Sequence, residues 1–218
     1  MEHKFWEQRW VDGQTNWHQP EFNRNLSYFW KQLNIKNESQ VLVPLCGKSK
    51  DMIWLRDQGH PVIGVELSAI ACSAFFLESH LKPQMSMTPD FQIYESDKIK
   101  LFCGDFFKFK PDYLENCSAV YDRAAYIALP PEMRKEYAHF MAGLVQPESF
   151  IMLQTLEFDS VAGPPFSISQ SEIIKNWGLY FSSELLHEEI IPFSQPQVEK
   201  DGVEKAASRV YLLKRKHS

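Results

Sequence analysis

Apolar positions along this chain follow two alternating patterns. Short, nearly continuous apolar runs such as Val41-Leu42-Val43 and Val62-Ile63-Gly64-Val65 predict buried strands at 41–45, 62–66, 99–103, 118–122 and 149–156. Helical stretches fall between them at about 50–58, 69–81 and 131–144, and Pro130-Pro131-Glu132 marks a firm start for the last. Strand–helix alternation on this scale predicts an α/β fold, a parallel sheet with helices on both faces. Residues 1–35 predict two helical pieces around the turn Val11-Asp12-Gly13-Gln14. Pro20 opens the second, whose Phe22, Leu26, Phe29 and Leu33 recur at helical spacing. This arm precedes the first strand and reads as a lid or cap. At the other end, 180–191 and 209–214 are strand-like segments joined by a polar loop with Pro192, Pro196 and Gly202, which predicts an antiparallel hairpin on the sheet edge. Residues 83–90 read as a surface loop before an extra short strand at 91–95. No internal repeat or low-complexity tract interrupts the pattern.

Composition narrows the class. With 218 residues the chain suits one well-buried domain, 1–218, with the arm 1–35 inside it. Sixteen Phe, eight Tyr and six Trp exclude disorder over most of its length. A net charge of -5 with scattered basic residues argues against a nucleic-acid face, and Lys214-Arg215-Lys216 reads as a solvated terminus. Cys46, Cys72, Cys103 and Cys117 show neither CxxC pairing nor a matching His spacing, so buried reduced thiols and no metal are expected. Met1-Glu2-His3-Lys4 opens no secretory apolar region, and no run approaches the roughly 18 apolar residues of a membrane span. The expectation is a soluble cytoplasmic monomer whose partner is a small molecule, with no nucleic acid and no membrane.

The chemistry concentrates at the end of the first strand. Val43-Pro44-Leu45-Cys46-Gly47-Lys48-Ser49 is a strand running into a polar turn, and the second strand ends on Glu66. An acid about twenty residues past the turn glycine suits the paired hydroxyls of a nucleotide ribose. The glycine ladder G-x-G-x-x-G is missing, so the loop is not shaped for a pyrophosphate, and a nicotinamide-dependent oxidoreductase is disfavoured. A P-loop would need glycine at 42, where Leu42 stands. A cofactor with a ribose and no pyrophosphate remains, and S-adenosyl-L-methionine fits that description.

Pro44-Leu45-Cys46-Gly47-Lys48, with Phe5-Trp6-Glu7-Gln8-Arg9-Trp10 before it and Tyr121-Asp122-Arg123 after it, resembles the thiopurine S-methyltransferase family, bacterial type. The resemblance runs from Trp6 to Leu213. It includes Trp17-His18, Gly104-Asp105-Phe106-Phe107, Ala128-Leu129-Pro130 and Gly163-Pro164-Pro165-Phe166. It implies a class I methyltransferase: a seven-stranded, mostly parallel, doubly wound Rossmann-like sheet with an antiparallel C-terminal hairpin. The implied activity is methyl transfer from S-adenosyl-L-methionine to the sulfur of aromatic and heterocyclic thiols, thiopurines among them, a detoxifying reaction. Two alternatives stand beside it: methylation of selenium or tellurium oxyanions by the same site, and a non-catalytic S-adenosylmethionine sensor.

Methyl transfer from a sulfonium is an in-line displacement that needs alignment and exclusion of water rather than an acid–base pair or a metal. Glu66 would accept from both ribose hydroxyls, against the reading of a solvated strand-end acid. Leu45 and Gly47 would offer backbone contacts to the methionine end. Cys46, before a helix start, is a packing residue rather than a nucleophile, since no base partners it. Asp105 and Phe106 follow the third strand, where either adenine recognition or a helix N-cap by Asp105 accounts for them. Arg123 ends the fourth strand and either binds the methionine carboxylate, favours a thiolate acceptor, or pairs with Asp122. From spacing, Trp6 and Trp10 pack together at i, i+4. The resemblance instead assigns Trp10 to the cofactor and Trp17 to the substrate side, while His18 reads from the sequence as a hydrogen-bonded structural histidine. Pro164 and Phe166 form either one wall of a planar substrate's slot or an ordinary loop. After that loop Ser171-Glu172-Ile173-Ile174-Lys175 offers no arginine to the substrate, a departure from the animal branch of the family.

Overall fold

The computed structural model describes residues 3–217, so Met1 and Glu2 of the N-terminal reading and the last residue of the 1–218 span lie outside the described residues. These residues form two compact units that divide between Val120 and Tyr121.

The first unit opens with α1 (His3–Val11) and α2 (Arg24–Phe29), continued by a 3-10 turn at Trp30–Leu33. The arm is helical as expected, but its second helix starts at Arg24, not at Pro20. Asn23 is the reason: its side-chain oxygen accepts from the amides of Asn25 and Leu26 and satisfies two orphan donors of the first turn. The Asn23 amide itself donates to the buried Asp51 carboxylate at 2.7 Å, and the Trp30 indole N–H donates to His60 Nε2 at 3.1 Å. His60 Nε2 is therefore the acceptor nitrogen, and Nδ1–H faces the Ser39 carbonyl at 3.2 Å. Burial lowers the pKa of this histidine and keeps it neutral. These bonds tie the arm to the two ends of the 51–60 segment.

The remaining elements of this unit are β1 (Gln40–Pro44), α3 (Asp51–Asp57), β2 (Val62–Glu66), α4 (Ala69–Glu78), β3 (Gln84–Met87), β4 (Gln92–Ser96), β5 (Ile99–Cys103) and the start of β6 (Cys117–Arg123). Their order across the sheet is β3-β4-β5-β2-β1-β6. β1 runs parallel to β2 and β6, and β2 runs parallel to β5 in the register Val62↔Ile99 to Glu66↔Cys103. Every residue of β2 is buried, which is what a near-continuous apolar run in the middle of a parallel set requires. The ends of β1, β2 and β5 consequently bring the 45–47 turn, Glu66 and Gly104-Asp105 to one edge of this unit.

The second unit holds the end of β6, α5 (Pro131–Leu144), β7 (Phe150–Glu157), α6 (Gln170–Trp177), β8 (Phe181–Pro192) and β9 (Lys205–Arg215), with strand order β6-β7-β9-β8. β9 is antiparallel to both β7 and β8, as the C-terminal hairpin predicts. Helix α5 begins on Pro131, whose missing N–H costs nothing at a first helical position. Tyr126, Tyr137, Trp177 and Phe181 pack ring to ring in its core, and Phe158 stacks on Phe193 at 4.8 Å in a smaller cluster.

Among the described residues nine strands are present, not the seven expected, and the sheet is mixed rather than mostly parallel. The surplus is the β3–β4 hairpin, antiparallel to itself and to β5. β3 lies inside the segment 83–90 read as a loop. All four of its residues are exposed, so there was no alternation of burial to read; it exists because β4 offers a free edge.

Candidate active site

The turn after β1 is shaped by two residues with left-handed backbones, Leu45 at φ 45° and Gly47 at φ 53°. Between them the Cys46 amide donates to the Val65 carbonyl at 3.0 Å, which holds the turn against the end of β2. Glycine at 47 answers two demands. A left-handed residue there costs a side chain energy, and a Cβ would stand 3.3 Å from Cζ2 of Trp10. Trp10, 8% exposed, therefore lies directly on the turn.

Glu66 is 7% exposed and is already engaged by backbone: Oε2 accepts from the Gly47 N–H and Oε1 from the Ser68 N–H, each at 2.8 Å. Burial raises its pKa, and the amides of Ser68, Gly47 and Leu67 oppose that shift. A carboxylate offers about four acceptor sites, two per oxygen. With three amides turned toward it the carboxylate keeps part of that acceptor capacity, at the strand end, for a neighbouring hydroxyl. The Glu66 carbonyl accepts from the Gly104 amide at 2.8 Å, which joins the ends of β2 and β5.

Asp105 caps the 3-10 turn at Phe106–Lys108, accepting from the Phe107 amide at 2.9 Å, with His3 Nε2 at 3.6 Å from its other oxygen. The N-cap reading of Asp105 is thus observed, at the strand end where the cofactor reading also put it. Phe106 is buried beside it. Trp17 meets both Trp10 (5.8 Å) and Trp6 (5.3 Å) edge to face, with the Arg9 guanidinium 5.7 Å from its ring centre. Trp17 thus joins two tryptophans that the i, i+4 spacing had paired with each other.

Two readings of the turn can be discarded. Burial, reinforced by Glu66, drives the Cys46 thiol pKa upward, so it is no thiolate nucleophile. Lys48 Nζ pairs with Glu78 at 2.6 Å instead of standing over the turn as a phosphate-binding lysine would.

The second unit carries Arg123, Pro164 and Phe166. Arg123 is half-buried on the last residue of β6, before Ala124 at φ 68°. Its neighbour Asp122 is fully buried, accepting from the Tyr137 hydroxyl at 2.6 Å and the Tyr126 amide at 3.1 Å. Burial outweighs those bonds and pushes the Asp122 carboxyl up to about 6 from its usual 3.8. A folded pKa above the unfolded one means that Asp122 contributes stability below about pH 4 and that this contribution is lost as pH rises to about 6. Asp122→Asn should remove that loss. The Tm difference between variant and parent should grow in the variant's favour from pH 4 to pH 6 and stay level above. A difference independent of pH would show that Asp122 titrates normally.

Gly163-Pro164-Pro165-Phe166 contains two cis peptide bonds, before Pro164 and before Pro165. Pro164 is buried, and the Phe166 amide donates to the Ile127 carbonyl at 2.7 Å. A Cβ on Gly163 would fall 2.5 Å from the Phe166 ring, so the glycine admits that ring.

Sequence reasoning overlooked Arg134 and gave Glu172 no partner. Arg134 is 3% exposed and its guanidinium reaches Glu172, the Leu129 carbonyl and the Phe166 ring. A signal existed: Arg134, Tyr137, Ala138, Met141 and Ala142 share one helical stripe, so a cation sits on the buried face of α5.

Among the described residues no group of His, Cys, Asp and Glu is arranged to hold a metal ion, and no helix is long and apolar enough to cross a membrane. The family model described as Thiopurine S-methyltransferase (TPMT) matches residues 1–216. The chain is 41% identical over 215 residues to a thiopurine S-methyltransferase of Pseudomonas fluorescens (strain SBW25), covering 98% of this chain and 99% of that one. It is 38% identical over 219 residues to one of Marinobacter nauticus, covering 99% and 100%. Among solved structures, an S-adenosylmethionine-dependent methyltransferase from Anabaena variabilis superposes with a TM-score of 0.62 at 15% identity, covering 98% of this chain and 95% of that one. A Burkholderia thailandensis 1,6-didemethyltoxoflavin-N1-methyltransferase with bound S-adenosylhomocysteine gives 0.65 at 12% identity, covering 98% and 87%. At such identities these structures establish the fold alone, a class I methyltransferase-like α/β arrangement.

Proposed function

The chain belongs to the thiopurine S-methyltransferase family, and from that premise we propose that it transfers a methyl group to the sulfur of aromatic and heterocyclic thiols, thiopurines included. It is an S-adenosylmethionine-dependent methyltransferase. The span of the family match supports reading the whole chain as one catalytic domain. The observation that carries the cofactor assignment is Glu66, a buried carboxylate at a strand end with acceptor capacity left, beside a turn that Trp10 covers.

When bound, S-adenosylmethionine supplies a methyl group already activated on a sulfonium. The protein then has to bind, orient and keep water out. Glu66 takes the ribose hydroxyls. Leu45 and Gly47 present backbone to the methionine end, and Trp10 closes over it. Asp105 and Phe106 hold the adenine end, Asp105 at the start of the 3-10 turn that it caps. Arg123 anchors the methionine carboxylate and favours an ionised acceptor. In the second unit the loop of Pro164 and Phe166 is read as an aromatic wall for a planar acceptor, and in the first unit Trp17 is read on the substrate side. The raised pKa of Cys46 keeps the thiol of that turn out of competition with the acceptor.

The test pairs binding with product chemistry. Calorimetric titration should show binding of S-adenosylmethionine and its demethylated product and none of NADH. A heterocyclic thiol offered beside its hydroxy and amino analogues should be the one methylated, and on sulfur. Transfer to oxygen or nitrogen, or to none of the three, would overturn the sulfur assignment while leaving the family unaffected. Across thiols of graded pKa at saturating cofactor, Arg123→Lys should lose most rate with the least acidic thiols. A flat response would leave Arg123 as a cofactor anchor only.

A further inference from the structure

A buried arginine, paired with a half-buried glutamate, stands behind the loop that carries Phe166. Arg134 Nη2 donates to Glu172 Oε2 at 2.9 Å and Nη1 donates to the Leu129 carbonyl at 3.2 Å. Its Nε lies 2.6 Å from Glu172 Oε1, an ion-pair contact too far off line for a hydrogen bond. Glu172 is itself held: Oε1 accepts from the Tyr126 hydroxyl at 3.2 Å and from the Asn176 amide at 3.3 Å. That same Asn176 group donates to the Tyr126 hydroxyl at 2.9 Å. Tyr126 is fixed in turn by its amide on Asp122, the residue before Arg123. The guanidinium so immobilised has its carbon 5.9 Å from the centre of the Phe166 ring. Phe166 is pinned on two further sides, by its amide on Ile127 and by the ring's close approach to Gly163.

A brace between α5 and α6 alone would need Arg134 and Glu172. It would not need the guanidinium to meet an aromatic ring on a third segment. We propose that Arg134 is a positioning residue for the acceptor: clamped by Glu172, it fixes the Phe166 ring as a flat wall and so sets the affinity for planar aromatic thiols without touching them. This rests on the reading of Phe166 as part of the acceptor slot. A guanidinium over a ring face is attracted by the ring's quadrupole, and a planar cation held by Glu172 on one nitrogen and the Leu129 carbonyl on another keeps that face at one tilt. Lysine would keep the charge but lose the guanidinium's planar fork.

The test is a double-mutant cycle in the full chain, reading KM and kcat for an aromatic thiol and for a small aliphatic thiol. Arg134→Met should raise KM for the aromatic thiol by roughly fivefold, with kcat and cofactor Kd little changed and the aliphatic thiol unaffected. Phe166→Ala should raise the same KM, and adding Arg134→Met to it should add nothing. Arg134→Lys and Glu172→Gln should reproduce part of the effect, and they carry the test if Arg134→Met does not fold. An unchanged aromatic KM in folded Arg134 variants, while Phe166→Ala raises it, would overturn the positioning role alone. So would an Arg134 effect that persists undiminished without the Phe166 ring. A Phe166→Ala enzyme with unaltered KM would overturn the wall reading and this inference with it.

Discussion

Glu66→Ala should weaken S-adenosylmethionine binding by about 2–3 kcal/mol, roughly a 30- to 150-fold rise in Kd. Two losses contribute. The ribose hydroxyls lose a charged acceptor, and the Gly47 and Ser68 amides lose the oxygens that both accept at 2.8 Å. The second loss loosens the turn that Trp10 covers. Glu66→Gln separates the contributions. Its side chain has the right shape but replaces one oxygen with an NH2 group, which must face a backbone N–H on whichever side it turns. Gln should therefore recover less than half of the loss. Calorimetric Kd is the readout, with acceptor KM as the contrast, since Glu66 should move the first far more than the second. A folded Glu66→Ala protein with unchanged cofactor Kd would remove Glu66 from the site.

Gly64→Ala should cost about 2–3 kcal/mol of stability, read from the midpoint of urea unfolding. Gly64 sits in the buried middle of β2, where an added Cβ would lie 2.3 Å from Leu101 Cδ2, 2.8 Å from Cys46 Sγ and 3.1 Å from Met52 Sδ. Leu101 and Met52 are fully buried, so neither has open space to retreat into. Relief must come partly from Cys46, the residue before Gly47, so cofactor Kd should rise along with the loss of stability. Gly143→Ala is the control. Gly143 is an exposed helical position with nothing within 4 Å of an added Cβ, and the same chemical change there should stabilise by up to about 1 kcal/mol. An unfolding midpoint for Gly64→Ala equal to the parent's would show that the strand can spread at no cost.

What the sequence by itself determined is whatever local pattern controls. Five strands and the helix 131–144 were legible to within a residue or two, because burial imposes runs of apolar residues and Pro131 marks a first turn. Glu66 was legible as an acid at a strand end, and Gly47 as a glycine in a turn. The rest depends on partners distant in sequence. The extra strand expected at 91–95 is β4, but β3 is a strand only because β4 lies beside it, and its exposed residues carried no period to read. Helix α2 starts at Arg24 because the Asn23 side chain turns onto two amides, a choice that spacing from Pro20 does not reveal. Trp17 lies against Trp6 and Trp10 because the chain folds back after α1. Glu172 and Arg134 are 38 positions apart, and each alone reads as an ordinary helix charge. Burial of Arg134 against a half-buried Glu172 is a property of packing, and tertiary structure alone decided it, because the cost of burying a charge is met only by a partner that folding brings within hydrogen-bond reach.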